Sequence, residues 1–163
     1  MPAKGTYLLT DELIVSTLSP FQIQPSAGQI LKIHEYIRLL LKWNQSVSLT
    51  SVVDPVEILA RHFGESMFIC RLMPVEKCRL ADIGSGAGFP GLALKIACPE
   101  LRLTLIESNK KKCAFLSEVV RALELENVEV MPIRFEEARF APDFAEVVTV
   151  RAVGGFRGSC CGH

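Results

Sequence analysis

Asp82, Gly84, Gly86 and Gly88 stand at alternate positions in the run ADIGSGAGFPG, residues 81–91. Glycines at this density let a backbone approach a ligand closely. A strand that ends in such a turn and opens a helix is a general device for holding nucleotides. Two patterns overlap in the run. Gly86-Ala87-Gly88-Phe89-Pro90-Gly91 satisfies G-x-G-x-x-G, the pattern of nicotinamide and flavin sites. Asp82-Ile83-Gly84-Ser85-Gly86-Ala87-Gly88 satisfies D-x-G-x-G-x-G, a pattern that serves S-adenosylmethionine (AdoMet). A bare strand-to-helix turn is the bland alternative, and four glycines and a proline within eight residues argue against it.

The neighbours of the loop favour AdoMet. A carboxylate at Asp82 can meet a cationic amine, directly or through water, whereas it would repel a pyrophosphate. Glu107 closes the next strand, where an acidic side chain accepts hydrogen bonds from ribose hydroxyls; that role is common to both cofactors. Residues 1–80 precede the loop, while dinucleotide domains commonly open with theirs. Glu136 and Glu137 follow a third strand. They are placed either beside an adenine or at a solvated helix start, where the helix dipole favours acidic residues.

Around these residues the elements alternate. CRLADIG reads as a buried strand before the loop, and Gly91 to Cys98 as a helix stopped by Pro99. LRLTLIES is a second strand, Asn109 to Leu123 a helix, NVEVMPI a third strand and FAEVVTV a fourth. Strand and helix in alternation predict a parallel, doubly wound sheet. Upstream, Asp11 to Leu18 fits a short helix. Apolar Ile30, Ile33, Ile37, Leu40 and Leu41 predict an amphipathic helix over Ser26 to Trp43. Asp54-Pro55 with Glu57 predicts a capping box opening a helix that runs to about Leu72. Residues 1–74 are therefore expected as a helical cap on a sheet domain over 75–153.

Composition narrows the classes. The 163 residues suit one domain, and 49% apolar with 22% charged residues is an ordinary globular balance. Eighteen basic and eighteen acidic side chains cancel, so nucleic-acid binding would need a local patch. Lys110, Lys111 and Lys112 offer one, facing RNA phosphate or simply solvent. Arg61 and His62 offer a second, with packing on the helix surface as the alternative. No stretch reaches the roughly 18 apolar residues of a membrane span, and no leader opens the chain, so a cytoplasmic protein is expected. Cys70, Cys78, Cys98, Cys113, Cys160 and Cys161 form no zinc spacing; reduced thiols and no metal are expected.

With these residues in view, the chain resembles the bacterial glucose-inhibited division protein B family, the small-subunit (16S) ribosomal RNA guanine-N7 methyltransferases. DIGSGAGFPG, TLIESNKKKCAFLSEVVRALELENVEV, RFEE and VTVRAV carry the resemblance, with LLKWNQSVSLTSVVDPVEILARHFGESM upstream. It runs from about Leu40 to Val153. Ser48 stands where the family usually has Asn, and Glu65 where it has Asp. The resemblance implies a Rossmann-like class I AdoMet-dependent methyltransferase sheet and a small ribosomal subunit as partner. It implies cofactor contacts at Gly84 and Phe89, an adenine flanked by Phe135 and Glu136, and Arg151 as the catalytic residue reaching toward cofactor and target. Asp82 and Glu107 join them on the chemical argument above, with Gly86 and Gly88 as loop members. Guanine N7 carries a lone pair and no proton, so the implied transfer needs no general base, only alignment and exclusion of water. N7 is hard to reach in the deep major groove of paired RNA, which implies an unpaired target.

A class I sheet has seven strands and four can be counted here. GGFRGSCCGH, residues 154–163, resembles neither strand nor family and is expected to be a non-native tail on a truncated chain. Weak AdoMet binding, little turnover and a fourth strand whose free edge invites self-association would follow. Two other readings stand beside the methyltransferase: an NAD(P)-binding oxidoreductase, and a non-catalytic module that binds RNA or protein through its cap.

Overall fold

A computed structural model describes residues 8–151. The expected tail at 154–163, the end of the sheet domain at Val153, and Cys160 and Cys161 lie outside the described residues. Helix α1 (Asp11–Leu18) is capped by Thr10, whose hydroxyl accepts from the Leu13 N–H, and it buries Ile14 and Leu18. Helix α2 (Ala27–Trp43) opens on a reciprocal cap: Ser26 Oγ accepts from Gln29 N–H, and Gln29 Oε1 from Ser26 N–H. Its buried face holds Ile33, Tyr36, Ile37, Leu39 and Leu40, wider than the stripe the periodicity marked by Tyr36 and Leu39.

The helix expected from Asp54 to Leu72 is built in three stretches. They are α3 (Pro55–Glu57), a π-helical stretch (Ile58–Gly64) and α4 (Glu65–Leu72). Asp54 Oδ1 accepts from both Val56 and Glu57 N–H, a one-sided cap rather than the expected box. At the end of the π stretch the Glu65 N–H bonds to the Ala60 carbonyl, five residues back instead of four. Such a wide turn frequently marks a functional position, because it rotates the side chains that follow. In this stretch His62 and Phe63 both meet Phe89 of the glycine loop.

Strands β1 (Arg79–Ile83), β2 (Arg102–Ile106), β3 (Val128–Met131) and β4 (Val147–Val150) form a parallel sheet in the order β3-β2-β1-β4. Helix α5 (Gly91–Ala97) joins β1 to β2, and α6 (Lys110–Ala122) joins β2 to β3. Leu80, Leu103 and Leu105 point to one face and share a single core with α2, α4, α5 and α6. Ala81, Ile83 and Ile106 point to the other face, where Ile133, Phe140 and Phe144 from the β3–β4 connection cover them.

The double winding is thus incomplete among the described residues: the second face carries no helix. The reason is topological. Right-handed crossovers from β1 to β2 and from β2 to β3 step in the same direction, so both helices fall on one face. Only the return step to β4 covers the other, and its one helical turn is the 3-10 stretch Phe135–Glu137. The helices of residues 11–72 share one core with the sheet. Trp43 Nε1 donates to Glu118 on α6 at 2.8 Å, which ties α2 to the sheet layer. No helix among the described residues is long and apolar enough to cross a membrane.

Candidate functional site

The strand register sets the site. Ile83 on β1 pairs with Ile106 on β2 and with Val150 on β4, and Ile106 pairs with Met131 on β3. All four strands therefore end level, and the next residues, Gly84, Glu107 and Arg151, share one rim. A cleft of about 760 Å³ opens there. It lies where the strand order reverses about β1, the usual ligand position in an open α/β sheet. Gly84 to Ala87, Phe89, Glu107, Phe135, Glu136 and Arg151 line it, so most of the expected site residues are brought together. His62, Thr50 and Leu49 from the helical cap form the facing wall.

Most backbone N–H groups of the glycine loop are already engaged. Gly84 and Ser85 N–H donate to the Ile106 carbonyl at 2.8 and 3.2 Å, and Gly88 N–H to the Ser85 carbonyl at 2.7 Å. Gly86 N–H donates to Glu107 Oε2 at 2.9 Å, while Glu107 Oε1 takes the Asn109 N–H at 3.1 Å. Gly91 N–H, at the start of α5, donates to Asp82 Oδ2 at 3.3 Å. A pyrophosphate binds by collecting just these loop and helix-start donors. Two carboxylates take two of these donors here, which disfavours a dinucleotide reading of the G-x-G-x-x-G match.

Asp82 departs from its expected position. It is fully buried (0% exposed) beneath the loop and does not line the cleft. The in-register pairing Asp82↔Thr149 puts both side chains on one sheet face, and Thr149 Oγ1 donates to Asp82 Oδ1 at 2.9 Å. Asp82 therefore staples the loop to α5 and to β4. Gly91 allows this approach, since a Cβ there would lie 2.8 Å from Asp82 Oδ2.

From the other side the cap grips the loop. Tyr36 of α2 is buried and donates its hydroxyl to the Ala87 carbonyl at 2.6 Å. Its ring stacks on Phe89 at 5.0 Å, and the His62 ring stacks on Phe89 at 4.8 Å. Phe89 is thus mostly a packing residue (3% exposed), although one edge borders the cleft. Gly88 has φ +95°, and a Cβ there would overlap the Tyr36 hydroxyl.

The basic residues separate. Lys110 and Lys111 are exposed at the start of α6, where Asn109 Oδ1 caps Lys111 and Lys112 N–H, and Lys112 lines the cleft. Arg61 is exposed, but His62 is not its surface partner. His62 is half-buried in the cleft wall, and burial, reinforced by Arg151 and Arg61, holds its pKa down to about 4. At neutral pH it adds no charge to a phosphate-binding patch, which favours the packing alternative for His62. Arg151 Nη1 lies 3.2 Å from His62 Nδ1, and Nη2 donates to the Arg61 carbonyl at 3.3 Å. Tyr36 and Thr50 were not foreseen. Tyr36 gave no signal beyond its place among apolar neighbours, and Thr50 none beyond its quoted segment. Among the described residues no group of three His, Cys, Asp or Glu is placed to hold a metal.

Two outcomes are expected. Gly88→Ala combines backbone strain with overlap and should lower stability by at least ~2 kcal/mol in urea unfolding; an unchanged midpoint would contradict the packing described. The second concerns pH. Burial raises the Asp82 carboxyl from 3.8 to about 6, so between those values the folded chain keeps a proton that the unfolded chain has lost. Stability from this group is fullest at low pH and falls as pH rises through that window. His62, lowered from 6.5 to about 4, acts with the opposite sign, since the unfolded chain then binds the extra proton. In Asp82→Asn only the first slope disappears. The stability difference, wild type minus variant, should therefore shrink from pH 4 to pH 6; parallel pH curves would sink this assignment.

Comparison with known proteins bears on the family and the fold. A family model described as rRNA small subunit methyltransferase G (GidB) matches residues 29–159. Relatives carrying the name ribosomal RNA small subunit methyltransferase G include one from Xylella fastidiosa (strain 9a5c), 46% identical over 123 residues. That alignment covers 76% of this chain and 57% of the relative. One from Roseiflexus castenholzii is 47% identical over 128 residues, covering 77% and 55%. One from Chloroflexus aggregans is 38% identical over 151 residues, covering 91% and 63%. The chain thus spans a little over half the length of the relatives it matches. Among solved structures, coclaurine N-methyltransferase bound to N-methylheliamine and SAH aligns with TM-score 0.51 at 16% identity, over 85% of this chain and 49% of that one. Protein-L-isoaspartate O-methyltransferase aligns with TM-score 0.53 at 13% identity, over 85% and 47%. These two likenesses show a shared class I methyltransferase fold. The family match over most of the sequence goes further: the chain belongs to the rRNA small subunit methyltransferase G (GidB) family.

Proposed function

We propose that this chain binds AdoMet and serves methyl transfer to N7 of a guanine in small-subunit ribosomal RNA. The observation that carries the cofactor assignment is the glycine loop whose donors are held by Asp82 and Glu107. Such a loop suits a ligand without phosphates. The residues fit AdoMet in three respects. Glu107 accepts two backbone N–H bonds, and a carboxylate offers about four acceptor positions, so it keeps room for ribose hydroxyls. Ile133 and Phe135 give the cleft an apolar side for a purine, with Glu136 beside it. Loop carbonyls, rather than the buried Asp82, are left to meet the amine.

When bound, AdoMet supplies a methyl group on a positively charged sulfur. The chain's own task is then positional. N7 of guanine has a lone pair and no proton, so no side chain has to remove one. The Arg151 guanidinium offers donors and no acceptor, which suits it to orient ligand or base. The cap wall of Leu49, Thr50 and His62 narrows access to the cleft. RNA phosphates would be met by Lys112 at the cleft and by Lys110 and Lys111 at the exposed start of α6, with Arg61 as an outlying contact. Holding the reactants in line is worth several kcal/mol of barrier on its own.

Calorimetry tests the cofactor. AdoMet and S-adenosylhomocysteine are expected to bind, and NADH is not. Glu107→Gln turns one acceptor oxygen into an amide that faces a backbone N–H, and should weaken binding roughly tenfold or more. NADH binding in place of AdoMet would overturn the assignment. The target is tested with isolated small subunits and tritiated AdoMet, followed by nucleotide-resolved detection of 7-methylguanine; label found at another atom would reject N7. For the lysines, Lys110→Glu with Lys111→Glu should weaken RNA binding and flatten its dependence on log salt by about 0.7 per lost phosphate contact. An unchanged slope would remove them from the RNA surface.

A further inference from the structure

The surroundings of His62 give it a use that a place on the outer cap surface would not. Nδ1 lies 3.2 Å from Arg151 Nη1, and Nε2 lies 2.9 Å from Thr50 Oγ1. The polarity of these contacts follows from the groups themselves. A guanidinium has donors and no acceptor, so Nδ1 must accept. A neutral imidazole then carries its proton on Nε2 and donates it to Thr50. Thr50 Oγ1 also accepts from the Val52 N–H at 3.1 Å, so its own proton is left to donate, and Thr50 lines the cleft. Stacking on Phe89 fixes the plane of the His62 ring. Arg151 follows β4, an edge strand among the described residues, and needs a hold from outside the sheet. The π-helical stretch provides it twice, through the Arg61 carbonyl and the His62 ring.

We propose that His62 is a positioning residue, which holds the Arg151 guanidinium at the mouth of the cleft through an Nε2–H tautomer anchored on Thr50. The inference rests on Arg151 being the orienting donor of the AdoMet site. Protonation of His62 would remove the acceptor and set a second cation against Arg151. The same residue then cannot also be the general base of the reaction, since its only basic nitrogen is occupied.

Two measurements on the 163-residue chain test this. The first uses no cofactor: nitrogen-15 NMR of the imidazoles at pH 7. His62 should show Nε2–H with Nδ1 as a bonded acceptor, and Arg151→Met should move the Nδ1 signal toward that of a free acceptor. An Nδ1–H tautomer, or a signal indifferent to Arg151→Met, overturns the proposal. The second is calorimetry with S-adenosylhomocysteine. His62→Phe keeps the ring stack and loses both nitrogens; it should weaken binding about tenfold. His62→Asn, which returns an acceptor near the Nδ1 position, should recover part of that loss, a result that a purely structural role would not give. The double variant His62→Phe with Arg151→Met should bind no worse than the weaker single variant, the mark of one shared interaction. Additive losses overturn the proposal while leaving the cofactor assignment intact. Absence of binding by the wild type, with the expected imidazole spectrum, overturns the cofactor assignment instead.

Discussion

Two carboxylates held against a glycine loop organise this molecule. Asp82 takes the Gly91 N–H from below and Glu107 takes the Gly86 N–H from the side. A helix start and a glycine turn carry partial positive charge from their free N–H groups, and left open they attract anions. Filling them internally converts the loop from an anion trap into a preset scaffold. The loop keeps its shape without a ligand, and the chemistry offered to the cleft becomes carbonyls, a carboxylate and ring faces.

That scaffold depends on its support from outside. Tyr36 and His62 come from different helical stretches of the cap and both stack on Phe89. Phe63 meets Phe89 edge-on at 5.0 Å, and Tyr36 adds its hydroxyl to the Ala87 carbonyl. Aromatic pairs of this kind contribute roughly 0.5–1.5 kcal/mol each beyond the area they bury. The cap is therefore part of the site. Residues more than twenty positions before the loop set its conformation as firmly as the strand that precedes it.

Much of this was legible before the structure, and the limits have physical causes. Apolar spacing gave the helix over 26–43 and Asp54 before Pro55 gave a helix start, while the reciprocal Ser26–Gln29 cap and the Asn109 cap were seen only in the structure. Alternating strands and helices gave the parallel sheet, but its order and the rim at Gly84, Glu107 and Arg151 came only with the strand register. The burial of Asp82 was not legible, because a sequence shows that an acid stands at a strand end, but not to which face it turns; in the structure it meets the Thr149 hydroxyl across the strand pair. For His62 the structure favours the packing alternative over the basic patch. Its type suggests charge, while burial and the neighbouring guanidiniums remove it. The π stretch could not be foreseen, because apolar spacing scarcely distinguishes a bond to the fifth residue back from one to the fourth.

The sheet order also bears on how the cleft is assembled. Residue 79 pairs with residue 102, and residue 103 with residue 128, but residue 80 pairs with residue 147. Closing a longer stretch of chain costs more entropy, so β4 is the strand whose arrival is hardest to secure. Arg151 travels with that strand. The glycine loop, Glu107 and their aromatic backing can all be completed by nearer contacts, while the guanidinium joins by way of the most distant pairing in the sheet. The cleft therefore has an early wall and a late one, and the residue assigned to orient the reaction belongs to the late wall.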